Sequence, residues 1–293
     1  MVDVPTDNST ERQEAWRNLV IFMLIMIGLS AVYNLLMINM GQMSRMLVAG
    51  VMWAPGIAAL LTCLIIKRKI SDLPWGWGEW KWNWMAWWLP IVYGTLIYAP
   101  IWLFQLGDSS FPNPKTLADW SSNVIGTGET NIVATLFFVL LLASFGVIAS
   151  LSRALGEEIG WRGFMIWEMR KVMSFGQLAV LSGLIWGMWH WPAILFTDYN
   201  NGEGNFYLQL ALFTVSISAM GPIYAYLTFK SKSLWPAAIL HASHNLFIQG
   251  IFTPLTQKGA ETHLYVDEFG VMMPIVVVMA ALYFWRRAKR EGM

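Results

Sequence analysis

The sequence is poor in charge and almost free of cysteine. Only 13% of its 293 residues are Asp, Glu, Lys or Arg, about half the share carried by an ordinary soluble domain. The net charge is +1, so nothing suggests a nucleic-acid partner. The single cysteine, Cys63, lies in an apolar run. It excludes an internal disulfide and any cysteine-based metal site, and it reads as a small buried hydrophobe. The first seventeen residues are polar and mixed in charge (Asp3, Asp7, Glu11, Arg12, Glu14, Arg17). They lack the basic start and small-residue cleavage site of a secretory signal, so the apolar stretch behind them reads as a retained first helix.

Apolar residues fill the space that charge leaves. They make up 56% of the chain, with 18 Trp and 18 Met, and the mean hydropathy is +0.49. Eight stretches approach the ~20 residues a spanning helix needs: 18–38, 46–66, 83–106, 131–153, 176–197, 206–229, 235–253 and 269–285. The breaks are Lys67 to Lys69, the polar stretch from Gly107 to Asn131, the Asn/Gly turn from Asp198 to Asn205, Lys230 to Ser233, and the last polar loop from Thr256 to Glu268. The expected fold class is all-α: a polytopic membrane protein of about eight transmembrane helices plus short interfacial helices. The chain reads as a single membrane domain over 1–293. Helices without motifs occupy 1–130, the chemistry lies in 131–253, and a last loop and helix fill 254–293.

Lysine and arginine orient these helices. With a cytoplasmic N-terminus, sixteen of them fall on the cytoplasmic side, including Arg153 and Arg162, and three (Arg45, Lys115, Lys258) on the other. The positive-inside rule then places both termini in the cytoplasm, with a plasma (inner) membrane as the expected location. The run from Trp75 to Trp88 holds seven tryptophans and reads as an aromatic belt on a short interfacial helix. Phe164 to Lys171 reads as a second amphipathic piece at the cytoplasmic face.

Ionisable side chains inside a spanning segment cost about 2.5–3.5 kcal/mol each on insertion scales, so they mark sites of function. Glu157 and Glu158 end the fourth helix, His190 is in the fifth, and His241 and His244 are in the seventh beside Asn245. Neighbouring residues on a helix do not share a face, whereas Arg162 stands four residues after Glu158 in the favourable order for an ion pair. Glu158 and Arg162 then form a brace, leaving Glu157 free to face a cavity as a general base. By spacing alone, the pair fits equally well as interfacial acids balancing Arg153 and Arg162. His190 precedes Pro192 in an apolar helix, where its ring nitrogens need partners. His241 and Asn245 share a face at i,i+4 and could donate to one point, or could serve as polar glue between helices. His244 takes a packing or supporting role, and nothing is read into His263 in the outer loop.

The combination is more specific than its parts. Glu157-Glu158-x-x-x-Arg162, an intramembrane His190, then His241-x-x-x-Asn245 resembles the CPBP family, which includes the type II CAAX prenyl endopeptidases and bacterial relatives linked to bacteriocin processing. The resemblance covers Arg153 to Gln249. The family's middle motif is usually Phe-x-x-x-His, and here it is Trp186-x-x-x-His190. The resemblance implies an intramembrane endopeptidase acting on a membrane-associated protein or peptide, prenylated in the CAAX enzymes. Glu157 and His190 would activate a water, and His241 and Asn245 would stabilise the oxyanion, with no cofactor required. Zinc held by Glu157, His190 and His241 is the alternative, although no His-Glu-x-x-His run occurs. A proton-coupled transporter component and a non-catalytic membrane scaffold are the competing classes.

The expected topology poses one geometric difficulty. It puts Glu157 at a helix end, His241 about 9 Å deep and His190 about 21 Å deep, at roughly 1.5 Å per residue. The chemistry requires that the connector 163–176 be partly buried.

Overall fold

The computed structural model describes residues 9–199 and 204–293. Residues 1–8 of the polar N-terminal stretch, and 200–203 of the Asn/Gly turn, lie outside the described residues. Each of the eight expected positions is helical: α1 (Ser9–Met40), α2 (Arg45–Ile65), α3 (Trp80–Leu103), α5 (Ile132–Val172), α6 (Phe175–Phe196), α7 (Phe206–Ser231), α8 (235–255) and α9 (Met272–Arg290). A further short helix, α4 (Pro114–Ile125), lies within the stretch that reads as polar loop. Its start is written in the sequence: the Asn113 side chain accepts from the Lys115 N–H and Pro114 occupies the first turn. Similar caps open α2 at Ser44, α5 at Asn131 and α7 at Asn205, and Ser174 and Gln177 form a reciprocal capping box at the start of α6.

The protein is an integral membrane protein. Six of these helices (α1, α2, α3, α5, α6 and α7) are long and apolar enough to cross a membrane by themselves. The other two are of spanning length but carry the polar load: α8 holds His241, His244, Asn245 and Gln249, and α9 ends in Arg286, Arg287, Lys289 and Arg290. Neighbours in space run α1–α2–α5–α8–α3, with α6, α7 and α9 packed alongside.

Four expectations are corrected. First, the fourth predicted helix does not stop near residue 153. It runs unbroken for 41 residues to Val172, winding into wider π turns over Leu142–Gly146 and Ile159–Met165. Second, Arg162, counted among the basic residues at its cytoplasmic end, is 1% exposed in the bundle interior, while Arg153 is exposed and lies midway along the helix. Third, the tryptophan run has no interfacial helix of its own. Trp80 to Trp88 form the first turns of α3 itself, with Trp77, Trp80, Trp84 and Trp88 exposed as a belt requires. Nor is Phe164 to Lys171 a separate amphipathic piece, because it continues α5 and is largely buried. The required burial of the connector is therefore met by helix rather than by a dipping loop.

Two contacts fix how the helices approach. Gly156, next to Glu157, meets α2 so closely that a β-carbon there would lie 2.8 Å from the Met52 carbonyl oxygen. Between α6 and α7, a β-carbon on Gly183 would collide with the Ser218 carbonyl oxygen. Small residues at such crossings let backbones touch where no hydrophobic force draws helices together in lipid. At the far end of α5, buried Glu168 gathers Arg68 (3.2 Å), Lys171 (2.6 Å) and the Asn18 amide (3.0 Å), tying α1 and α2 to α5. Gly183→Ala forces α6 and α7 apart, and is expected to lower stability by about 1–3 kcal/mol, read as a lower midpoint of thermal unfolding in detergent.

Candidate active site

Glu157 and Glu158 sit where α5 passes from α-helix into its second π turn. Both are buried, at 2% and 0% exposure, and they part as adjacent helical residues must. Glu158 turns into the bundle, where Arg162 Nη1 donates to both of its carboxylate oxygens at 2.9 Å. Arg162 in turn is held between rings, 4.0 Å from the Tyr224 centroid and 4.4 Å from that of Trp186. Those π faces solvate the guanidinium from which water is excluded. The brace read from the i,i+4 spacing is present, and it reaches further than the spacing shows: Glu158 Oε1 also accepts from His241 Nδ1 at 2.8 Å.

Glu157 takes the other direction, into a cavity of about 620 Å³. Glu157, His190, His241 and Asn245 all line this cavity, so the structure brings together every residue expected to react. The Trp186 indole N–H donates to Glu157 Oε2 at 2.7 Å. A phenylalanine, the usual residue of that motif, has no such donor, so the exchange is chemically consequential. His190 stands at a break in α6, between segments Phe175–Trp189 and Trp191–Phe196. Pro192 lacks an N–H for the carbonyl four residues back, which loosens the helix there. His190 Nδ1 donates to the Trp186 carbonyl at 2.8 Å. With Nδ1 thus engaged on both His190 and His241, Nε2 is the nitrogen each has available for chemistry. Asn245 begins a π turn, Asn245–Phe252, immediately after α-helical His244. Wide turns of this kind recur at functional sites.

Three features of the cavity were not legible in sequence. Arg153, placed by topology at the membrane surface, lines the cavity one turn before Glu157. So does Arg45, which topology put on the opposite side. Glu268, from the last loop, also enters: it is 4% exposed and accepts from His244 Nε2 at 2.8 Å. The loop reads as solvated because it is polar, yet Val266 and Phe269 bury and draw it inward. The zinc alternative is not supported by the donor set. Among the described residues no three His, Cys, Asp or Glu side chains come together as a metal-binding group, and a catalytic zinc needs three.

Comparison with known proteins agrees with this reading of the sequence. A family model described as type II CAAX prenyl endopeptidase Rce1-like matches residues 135–247, the span that contains Glu157, His190, His241 and Asn245. The chain is also 31% identical over 122 residues to CAAX prenyl protease 2 of Methanococcus maripaludis. That alignment covers 40% of this chain and 41% of the relative's own length.

The inward loop has a measurable cost. Burial, with the Glu268 charge beside it, pushes the Asp267 carboxyl up to about 6. An acid whose pKa is raised by folding favours the native state at low pH and loses that contribution as pH rises through the folded value. The window here runs from about 3.8 to about 6. Asn fits the left-handed backbone of this position, φ 65°. Asp267→Asn is therefore expected to melt a few degrees higher than wild type at pH 7.5, with the advantage gone near pH 4, as read by thermal unfolding across that range.

Proposed function

We propose, on the premise that residues 135–247 are an Rce1-like segment of the CAAX protease family, that the protein is an intramembrane endopeptidase. Its substrate is a membrane-associated protein or peptide, and the prenylated CAAX class is the first to test, since the Methanococcus relative is named for it. The observation that carries the proposal is the convergence of Glu157, His190, His241 and Asn245 on one cavity.

In this mechanism a water binds between Glu157 and the available Nε2 of His190. Glu157 takes its proton as the oxygen attacks the scissile carbonyl, and later returns that proton to the departing amine. The oxyanion forms opposite, where the Asn245 amide and His241 Nε2 donate to it. His241 can donate there only with both nitrogens protonated, and its Nδ1–H stays bonded to the Glu158 carboxylate throughout. The Trp186 N–H holds the Glu157 carboxylate in the rotamer that faces the water. The apolar wall formed by Met37, Val51, Leu142 and Leu246 suits aliphatic or lipidated substrate groups. The remaining Lys and Arg bias supports a cytoplasmic location for both termini.

Purified protein in detergent or bilayer discs is incubated with a prenylated CAAX peptide and with its unprenylated twin, and the products are identified by mass. Glu157→Gln is expected to lower kcat by about 10²–10⁴-fold, and Asn245→Ala by about 10²–10³-fold. Trp186→Phe, which removes one hydrogen bond to a charged acceptor, is expected to cost about tenfold or more. Cleavage of neither peptide, or cleavage that survives Glu157→Gln, overturns the proposal.

A further inference from the structure

Glu268 is the second carboxylate in the cavity, and the reaction above does not use it. It lies outside the family-matched span of 135–247, on the loop that joins α8 to α9. Its two oxygens serve two different partners. Oε1 accepts from His244 Nε2 at 2.8 Å. Oε2 accepts from the Tyr199 hydroxyl, at a longer 3.4 Å.

Each partner stands directly behind a reacting residue. His244 is the last α-helical residue before the π turn that begins with Asn245. Its other nitrogen, Nδ1, is bonded to the Tyr93 hydroxyl of α3. Since an ionised carboxylate only accepts, Nε2 carries the proton and Nδ1 accepts from Tyr93. One neutral tautomer thus satisfies both bonds, and the ring is pinned between α3 and the loop at the point where the helix changes pitch. On the other side, the Tyr199 ring lies parallel to that of His190, centroids 6.3 Å apart at 19°. The loop itself is anchored, because the Asp267 N–H donates to the Tyr98 hydroxyl at 3.1 Å and the Thr262 hydroxyl to the Gly107 carbonyl at 2.8 Å.

We propose that Glu268 is a positioning residue for both halves of the site: through His244 it holds the turn that presents Asn245, and through Tyr199 it holds the ring that packs against His190. This rests on the peptidase reading. It assigns to the last loop, and to Tyr93 of α3, a share in a reaction whose reacting groups all come from α5, α6 and α8. Asn245 must be aimed within a fraction of an ångström to reward the transition state rather than the ground state, and a displacement of about 1 Å can cost on the order of a hundredfold.

The test uses the full-length protein and the peptide assay above. Glu268→Ala is expected to lower kcat about tenfold to a hundredfold with KM changed less than about twofold. Glu268→Gln, whose amide oxygen still accepts from His244 Nε2–H, is expected to recover most of that loss. Tyr93→Phe should fall between the two, since it frees one end of the His244 ring. A purely structural role would lower the melting point of all three variants without splitting kcat from KM, and without rescue by Gln. Should Glu268→Ala fail to fold, the Gln and Tyr93→Phe variants decide the question. The proposal is overturned if wild type cleaves, Glu157→Gln does not, and the Glu268 and Tyr93 variants retain full kcat. It is also overturned if they act on KM alone. If wild type itself cleaves nothing, the peptidase reading has failed instead.

Discussion

The buried charge pair Glu158–Arg162 is the constraint on which the centre of this molecule depends. Two ions removed from water must compensate each other, and removing one partner typically costs about 3–5 kcal/mol. The surroundings are arranged accordingly. Trp186 and Tyr224 cover the faces of the guanidinium, and His241 donates a further hydrogen bond to the carboxylate. These same groups place the site. Trp186 both stacks on Arg162 and bonds Glu157, and His241, held by Glu158, turns the next face of α8 toward the cavity. The two adjacent acids of α5 therefore divide the work, one building the frame and the other facing the space it encloses.

Much of this was legible in the sequence because it is local. The Glu158–Arg162 brace follows from i,i+4 spacing, the shared face of His241 and Asn245 likewise, and all eight long helices follow from apolar runs of sufficient length. What could not be read depends on contacts distant in sequence. The continuity of α5 is hidden by Gly156, Gly160 and Gly163, which look like a helix end; instead Gly156 and Gly160 let α5 lie against α2, and Gly160 and Gly163 fall in its π turn. Arg153 and Arg162 were counted at a membrane surface because the positive-inside rule assumes that arginine seeks water. Arg162 finds an acid and two aromatic faces in the interior instead. The last loop looked solvated from its composition, and only tertiary packing of Val266 and Phe269 reveals that it turns inward.

Tryptophan is abundant for a related reason. A bundle in lipid has few waters to satisfy backbone and side-chain acceptors, and the indole N–H supplies a donor on an otherwise apolar body. Trp53 donates to the Ser152 carbonyl, Trp102 to Thr256, Trp189 to Ser30 and Trp191 to Thr214. Each bond joins two separate elements of the chain. Together they stitch the helices by side chains whose burial in an apolar medium costs little.

The length of α5 has a consequence for the lipid. A straight helix of 41 residues measures about 60 Å, roughly twice the ~30 Å thickness of a hydrocarbon layer. It cannot stand upright within the bilayer; it leans, or one end leaves the acyl chains. Glu157 is fifteen residues from the Val172 end, so the depth of the cavity below the headgroups varies with the tilt that the surrounding lipid imposes. Bilayer thickness thereby becomes a variable of the site, set by the composition of the membrane as much as by the chain.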